Sequence, residues 1–230
     1  MPMNVQGYQK LTLLDFPGKT ACTVFTGGCN LRCPFCHNAG LVRTPLAQSN
    51  ATAEVMEYLQ KRRGILDGVC VTGGEPLLQP DLADFLRDVR QLGYAIKLDT
   101  NGSLPEKLAE VLALGLVDYV AMDIKSSPKG YALATGTETD WEVYARSVRI
   151  LRESGVPHEF RTTAVGGIHT PSDFVEIGRW LGDVPAYFIQ RFVDSGQLLG
   201  EGFYPFSIEE MEHLLTTVRE FIPSAQLRGC

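Results

Sequence analysis

The sequence predicts an α/β fold: a curved, open sheet of parallel strands with helices on the outside, a partial (β/α)6 TIM-like barrel. Three observations carry this prediction. Short β-rich apolar runs alternate with segments of helical spacing along the 230 residues, the pattern of parallel strands joined by right-handed crossovers. Six such units are too few to close an eight-stranded barrel. Charged and amide residues follow directly on successive apolar runs, and the C-terminal edge of such sheets is the functional rim. With no solenoid repeat, low-complexity segment or Pro/Gly/Ser-rich linker, residues 1–230 read as a single domain.

The strands are expected at 20–26, 68–72, 95–99, 119–123, 159–165 and 186–190. Helices are expected at 53–63, 81–92, 105–114, 140–154, 172–181 and 208–221. Pro80, Pro105 and Pro171 suit first-turn positions, the last after Thr170 as N-cap. Ser207 with Glu210 reads as a capping box. Lys61-Arg62-Arg63 suits a helix C-terminus, where cations are favoured.

A net charge of −6 with no other basic run argues against a nucleic-acid partner. Residues 1–9 are polar and lack a signal-peptide pattern, and no apolar run reaches membrane-spanning length. Of six cysteines, three are bunched in one loop. Cys22 and Cys70 fall in apolar strands as small buried hydrophobes would, and Cys230 stands apart. This usage fits a reducing cytoplasm, without a membrane.

The bunched cysteines, Cys29, Cys33 and Cys36, follow the first strand at C-x3-C-x2-C spacing. Three soft thiolates on one loop suit three irons of a [4Fe–4S] cube and leave the fourth iron open. A three-thiolate zinc site completed by His37, or free thiols, are the other readings of these residues. Since a fourth ligand would block the open iron, His37 is better placed to hydrogen-bond toward a cluster or cofactor.

The next strand ends in Gly73-Gly74-Glu75-Pro76. Two residues without Cβ let backbone approach a ligand closely, and carbonyls with the Glu75 carboxylate can accept from an ammonium group. An ordinary Gly-Gly turn is the alternative. Asp99, Asp123 and Lys125 are ionisable groups at later strand ends. Asp99 can take an amino group and Lys125 a carboxylate, although Asp99-Thr100-Asn101-Gly102 is also good turn chemistry. Asp99, Thr100 and Asp123 together offer oxygens for a monovalent cation. Arg161 lies within a strand, where an unpaired guanidinium is costly, so it should point into the mouth. His158, His169 and His213 read as ordinary loop or surface residues.

Nearly the whole chain resembles the small glycyl-radical-enzyme activases of the radical S-adenosylmethionine superfamily. The group that activates anaerobic ribonucleoside-triphosphate reductase is the most similar. The likeness is carried by Tyr8-Gln9-Lys10, Leu14-Asp15-Phe16-Pro17-Gly18-Lys19, Val24-Phe25-Thr26, Cys29 to Asn38, Gly73 to Pro76 and Asp99 to Gly102. Ala121 to Lys125, Tyr131, Thr135-Gly136 and Glu159 to Thr163 complete it. It implies a [4Fe–4S] cluster and S-adenosylmethionine as cofactors, held through Phe35, Gly73 to Pro76, Asp99, Lys125 and Arg161. The implied reaction is cleavage of S-adenosylmethionine to methionine and a 5′-deoxyadenosyl radical, which takes the α-hydrogen of a glycine in a partner enzyme. A flavodoxin- or ferredoxin-type protein would supply the electron, and Asp15 would hold the partner's glycine loop. A pyruvate formate-lyase-type activase, or an enzyme of the superfamily acting on a small molecule such as a 7-deazaguanine precursor, are the alternatives. Two positions depart from the pattern: Gly27, where glutamine is expected, and Gly166, where proline is common.

Overall fold

The computed structural model describes residues 3–43, 51–194 and 196–230. The six expected strands form β2 (Ala21–Thr26), β3 (Gly68–Gly73), β4 (Ala95–Thr100), β5 (Tyr119–Asp123), β6 (His158–Ala164) and β7 (Tyr187–Arg191). They pair in chain order, each parallel to the next. Two further strands extend the sheet: β1 (Val5–Thr12) runs antiparallel to β2, and β8 (Gln226–Arg228) lies parallel to β7. The sheet order β1 to β8 does not close on itself, so the barrel stays open.

Neither edge strand is legible from residue pattern. Val-Gln-Gly-Tyr-Gln-Lys-Leu-Thr is mostly half-buried or exposed, and Gln-Leu-Arg is too short to show a period. Ladder bonds to a strong neighbour, rather than local preference, make them strands.

The helices are α1 (Ala39–Arg43), α2 (Ala51–Lys61), α3 (Leu82–Gln91), α4 (Pro105–Ala113), α5 (Tyr131–Thr135), α6 (Trp141–Ser154), α7 (Pro171–Leu181) and α8 (Ile208–Arg219). Capping boxes start α7, from Thr170 and Asp173, and α8, from Ser207 and Glu210. Pro105 and Pro171 occupy first-turn positions, whereas Pro80 stands before α3, which begins at Leu82. Among the described residues, no helix is long and apolar enough to cross a membrane.

Period-two alternation divides the sheet into two unlike faces. Cys22, Val24, Val69, Val71, Ile96, Leu98, Val120, Met122, Phe160 and Ile189 pack in one core with Leu86, Leu108, Leu151, Ile177 and Leu214 of the helices. The opposite face is polar. Register aligns Thr23, Cys70 and Lys97 in one row and Asp123 with Arg161 in another. A smaller apolar cluster of Leu31, Cys33, Phe35, Ala134, Val165 and Phe192 wraps the cysteine loop.

Candidate active site

Cys29, Cys33 and Cys36 are unpaired thiols on the loop that follows β2. They line one cavity with Phe35, His37, Gly73, Gly74, Asp99, Asp123, Lys125, Arg161 and Gln190. The C-terminal ends of β3 to β7 thus converge on the thiols, as the strand-end pattern predicts. The loop is clamped from two sides. The Gly74 N–H donates to the Thr26 carbonyl at 2.8 Å, and the Glu75 N–H to the Gly28 carbonyl at 2.8 Å. A Cβ on Gly74 would lie 1.9 Å from the Gly28 oxygen, so this glycine is required by loop-on-loop contact as well as by any ligand. On the other side the Arg32 N–H donates to the Thr135 carbonyl at 2.8 Å.

The polar wall is a chain of alternating charges. Lys97, only 1 % exposed, pairs with one Asp99 oxygen. The other Asp99 oxygen takes Arg161 Nη1 at 3.2 Å. Arg161 Nε and Nη2 both reach Asp123 Oδ1 at 2.9 Å, and Asp123 Oδ2 takes Lys125 Nζ at 3.0 Å. Burial opposes ionisation of both carboxyls, yet Arg161 and its lysine neighbours hold Asp99 and Asp123 below the usual carboxylate range. Burial likewise disfavours the Lys125 ammonium, but Asp123 outweighs it and keeps the lysine charged. Three cations face two anions, so the wall has one positive charge in excess, suited to an incoming carboxylate.

Lys97 was not among the expected site residues. The signal was present, since a lysine inside Ala95-Ile96-Lys97-Leu98-Asp99 must find a buried partner. Cys70 is buried in its strand, as expected, but it faces this wall, its sulfur 3.7 Å from Asp99 Oδ1.

Several expectations change. Glu75 is fully buried and does not reach the cavity. Its carboxylate accepts from the Asn101 N–H at 2.7 Å, the Thr100 hydroxyl at 2.9 Å and the Leu77 N–H at 3.1 Å. It therefore stitches the glycine turn to the next loop, although burial still pushes its pKa up to about 7. Pro76 opens a buried 3-10 turn, Pro76–Leu78, behind it. Thr100 spends its hydroxyl on Glu75, and Asp99 and Asp123 are occupied by cationic side chains. A monovalent cation there would have to displace these partners. Asp15 also lies away from the cavity: its carboxylate accepts from the Thr23 hydroxyl at 2.5 Å, on the polar face of the sheet. His37 lines the cavity, its ring 5.3 Å from that of Phe192. His213 is exposed, as expected, but His158 and His169 are buried. His169 packs 6.2 Å from the Phe35 ring and grips the backbone beside Lys125.

Both departures from the resemblance have local causes. The space over Gly27 is filled by Gln6, whose Cγ lies 2.9 Å from where a Cβ would stand. An amide reaches this spot from β1 instead of from the loop. Gly166 donates its N–H to the Tyr204 carbonyl at 2.9 Å, a bond proline cannot make, and the Tyr204 ring covers it. That contact draws the segment after β7 across the cysteine loop, where the Gly200 N–H donates to the Pro34 carbonyl at 2.8 Å and Phe203 meets Phe35 edge to face at 6.5 Å.

The donor set fits an iron–sulfur cluster. Burial pushes the bare Cys33 thiol up to about 11, with the Lys125 ammonium pulling the other way, so thiolates here need a cationic body to be stable. Cys29 Sγ accepts from the Leu31 N–H at 3.4 Å and from Asn101 Nδ2 at 3.8 Å, the kind of contact that tunes cluster sulfurs.

Comparison with known proteins agrees. The model of the Radical SAM superfamily matches residues 23–181. A Methanocaldococcus jannaschii protein, provisionally named a glycyl-radical enzyme activating enzyme, is 30% identical over 82% of this chain and 79% of its own. The pyruvate formate-lyase-activating enzyme of Clostridium pasteurianum is 32% identical over 57% of each chain. The 7-carboxy-7-deazaguanine synthase of Methanopyrus kandleri is 29% identical over 67% of this chain and 70% of its own. Among solved structures, Streptococcus suis SuiB bound to S-adenosylmethionine superposes with a TM-score of 0.66 at 16% identity. The likeness covers 88% of this chain but only 48% of SuiB, so this chain spans just under half of that protein. A thiol triad at a strand-end mouth, inside a segment that the family model spans, makes this chain an enzyme of the Radical SAM superfamily, whose cofactors are a [4Fe–4S] cluster and S-adenosylmethionine.

Proposed function

We propose that the protein, taken as one unit over residues 1–230, is an activating enzyme for a glycyl-radical enzyme. The observation that carries this reading is the likeness to the M. jannaschii protein across most of both chains. When bound and reduced, the cluster and S-adenosylmethionine supply the hydrogen-abstracting radical. The chain binds and orients. Cys29, Cys33 and Cys36 hold the cluster, and Gly73 and Gly74 present backbone to the methionyl amino group. Lys125 and Arg161 take the carboxylate side, Asp99 the amino group, and Phe35 and His37 border the adenosyl portion. Asp15, on the polar face below the cavity, takes the glycine loop of the partner. The motifs shared with the activases of anaerobic ribonucleoside-triphosphate reductase make that enzyme the first partner to test, with pyruvate formate-lyase the second. A flavodoxin- or ferredoxin-type protein is the proposed electron donor.

The test mixes anaerobically reconstituted protein, S-adenosylmethionine, reductant and the candidate partner, and looks for the glycyl radical doublet by electron paramagnetic resonance. Asp15→Asn should leave uncoupled cleavage of S-adenosylmethionine nearly intact while strongly reducing the doublet. Equal loss of both would make Asp15 structural. The likeness to 7-carboxy-7-deazaguanine synthase supports a second reading, a small-molecule substrate. Turnover of such a substrate, with no doublet from any glycyl-radical enzyme, would replace the first reading by the second.

A further inference from the structure

The polar face of β6 carries two charged residues in succession, Glu159 and Arg161, whose side chains point the same way. Arg161 is committed to Asp99 and Asp123 in the cavity wall. Glu159 is 1 % exposed and belongs to no part of the site described above. Its oxygens accept from Arg228 Nη1 at 3.0 Å, Arg228 Nη2 at 3.3 Å and the Tyr119 hydroxyl at 3.2 Å. The Arg228 guanidinium sits 3.7 Å over the Phe188 ring, and pairing of β8 with β7 sets Arg228 beside Gln190.

The arrangement solves a charge problem. A buried carboxylate whose only partner is a phenol is strongly unfavourable and turns to the nearest cation. Here the next cation on the same face is Arg161, and Glu159 is already among the anions acting on its guanidinium. Each step Arg161 took toward Glu159 would loosen its hold on Asp123 and Asp99. Arg228 removes that pull by saturating Glu159 from the other side with two parallel hydrogen bonds, the strong geometry for a guanidinium and a carboxylate.

We propose that Arg228 is a positioning residue: by neutralising Glu159 on the polar face of the sheet, it leaves Arg161 committed to the cofactor cavity. The proposal rests on family membership and on the place of Arg161 in the cavity wall, and it holds whichever substrate the enzyme acts on.

The test is a double-mutant cycle on full-length, anaerobically reconstituted protein, reading S-adenosylmethionine affinity by calorimetry together with iron content and thermal melting. Arg228→Gln should weaken binding about tenfold, within the range of coupling between groups of one charge network. Glu159→Gln should bind as wild type does, because its amide no longer competes for Arg161. The double variant Glu159→Gln/Arg228→Gln should recover affinity to within about threefold of wild type, even where its melting temperature stays low. A strand-edge role alone would leave the double variant no better than Arg228→Gln. Either that result, or wild-type affinity in Arg228→Gln, overturns the proposal. Should Arg228→Gln fail to fold, weak binding in a folded double variant overturns it equally, and recovered binding supports it.

Discussion

His169 Nε2 lies 2.8 Å from the Lys125 carbonyl oxygen, and the Tyr131 hydroxyl accepts the Lys125 N–H at 3.2 Å. The residue that faces the thiols and Asp123 is thus gripped at both of its backbone polar groups. Nδ1 of His169 accepts the Val165 N–H at 3.1 Å, so only the neutral ring with its proton on Nε2 satisfies both contacts.

This grip should make stability depend on pH. Burial holds the His169 pKa below its ordinary 6.5, so the folded state favours the neutral ring. A group with a depressed folded pKa contributes stability that is present above the unfolded value and lost as pH falls through the folded one. Urea unfolding at about pH 8 and about pH 5 should show wild type losing on the order of 1 kcal/mol more than His169→Gln. An equal loss in both proteins would remove His169 as the source.

Cluster assembly should depend on three thiols alone. Reconstituted wild type should carry about four irons and four sulfides. Cys29→Ala, Cys33→Ala and Cys36→Ala should each abolish the cluster, whereas Cys22→Ala, Cys70→Ala and Cys230→Ala should keep it. An intact cluster in Cys33→Ala would refute the assignment.

Lys125→Ala should keep its iron yet bind S-adenosylmethionine about 1.5–3 kcal/mol more weakly, the size of a lost charged hydrogen bond. Calorimetry decides this. Unchanged affinity in both Lys125→Ala and Asp99→Ala would place the cofactor elsewhere.

Glu75 offers a sharper chemical test. All three of its partners are donors toward it, so Glu75→Gln would set an amide N–H against one of them. The expected cost is about 1–3 kcal/mol of folding stability, read by denaturant unfolding. A neutral effect would show that the two loops do not depend on this carboxylate to stay joined.

Much of the fold was legible because its strands are buried on one face by helices, which forces apolar runs such as Gly68 to Val71. The cysteine triad was legible because its chemistry is local to eight residues. What escaped was set by distant partners. β1 is a strand because β2 offers it a ladder, and nothing in Val5 to Thr12 says so alone. Glu75 looked like a ligand group, but its donors come from Thr100 and Asn101, a quarter of a hundred residues on. His169 lies in a loop, as expected, but its burial escaped because its two backbone partners are invisible without the fold. Lys97 was the exception, readable in principle from one charge inside an apolar strand.

The segment that crosses the cysteine loop has a consequence for the order of events during synthesis. Gly200 and Phe203 cover the loop, yet Cys36 leaves the ribosome 164 residues before Gly200 does. At cellular elongation rates that interval is on the order of ten seconds. Throughout it, three clustered thiols stand without the cover that later shelters them. Cluster loading before the chain is complete would meet a site lacking one wall, and oxygen would meet thiols with no roof. The shelter of this loop is thus completed by residues far downstream of the thiols that it covers.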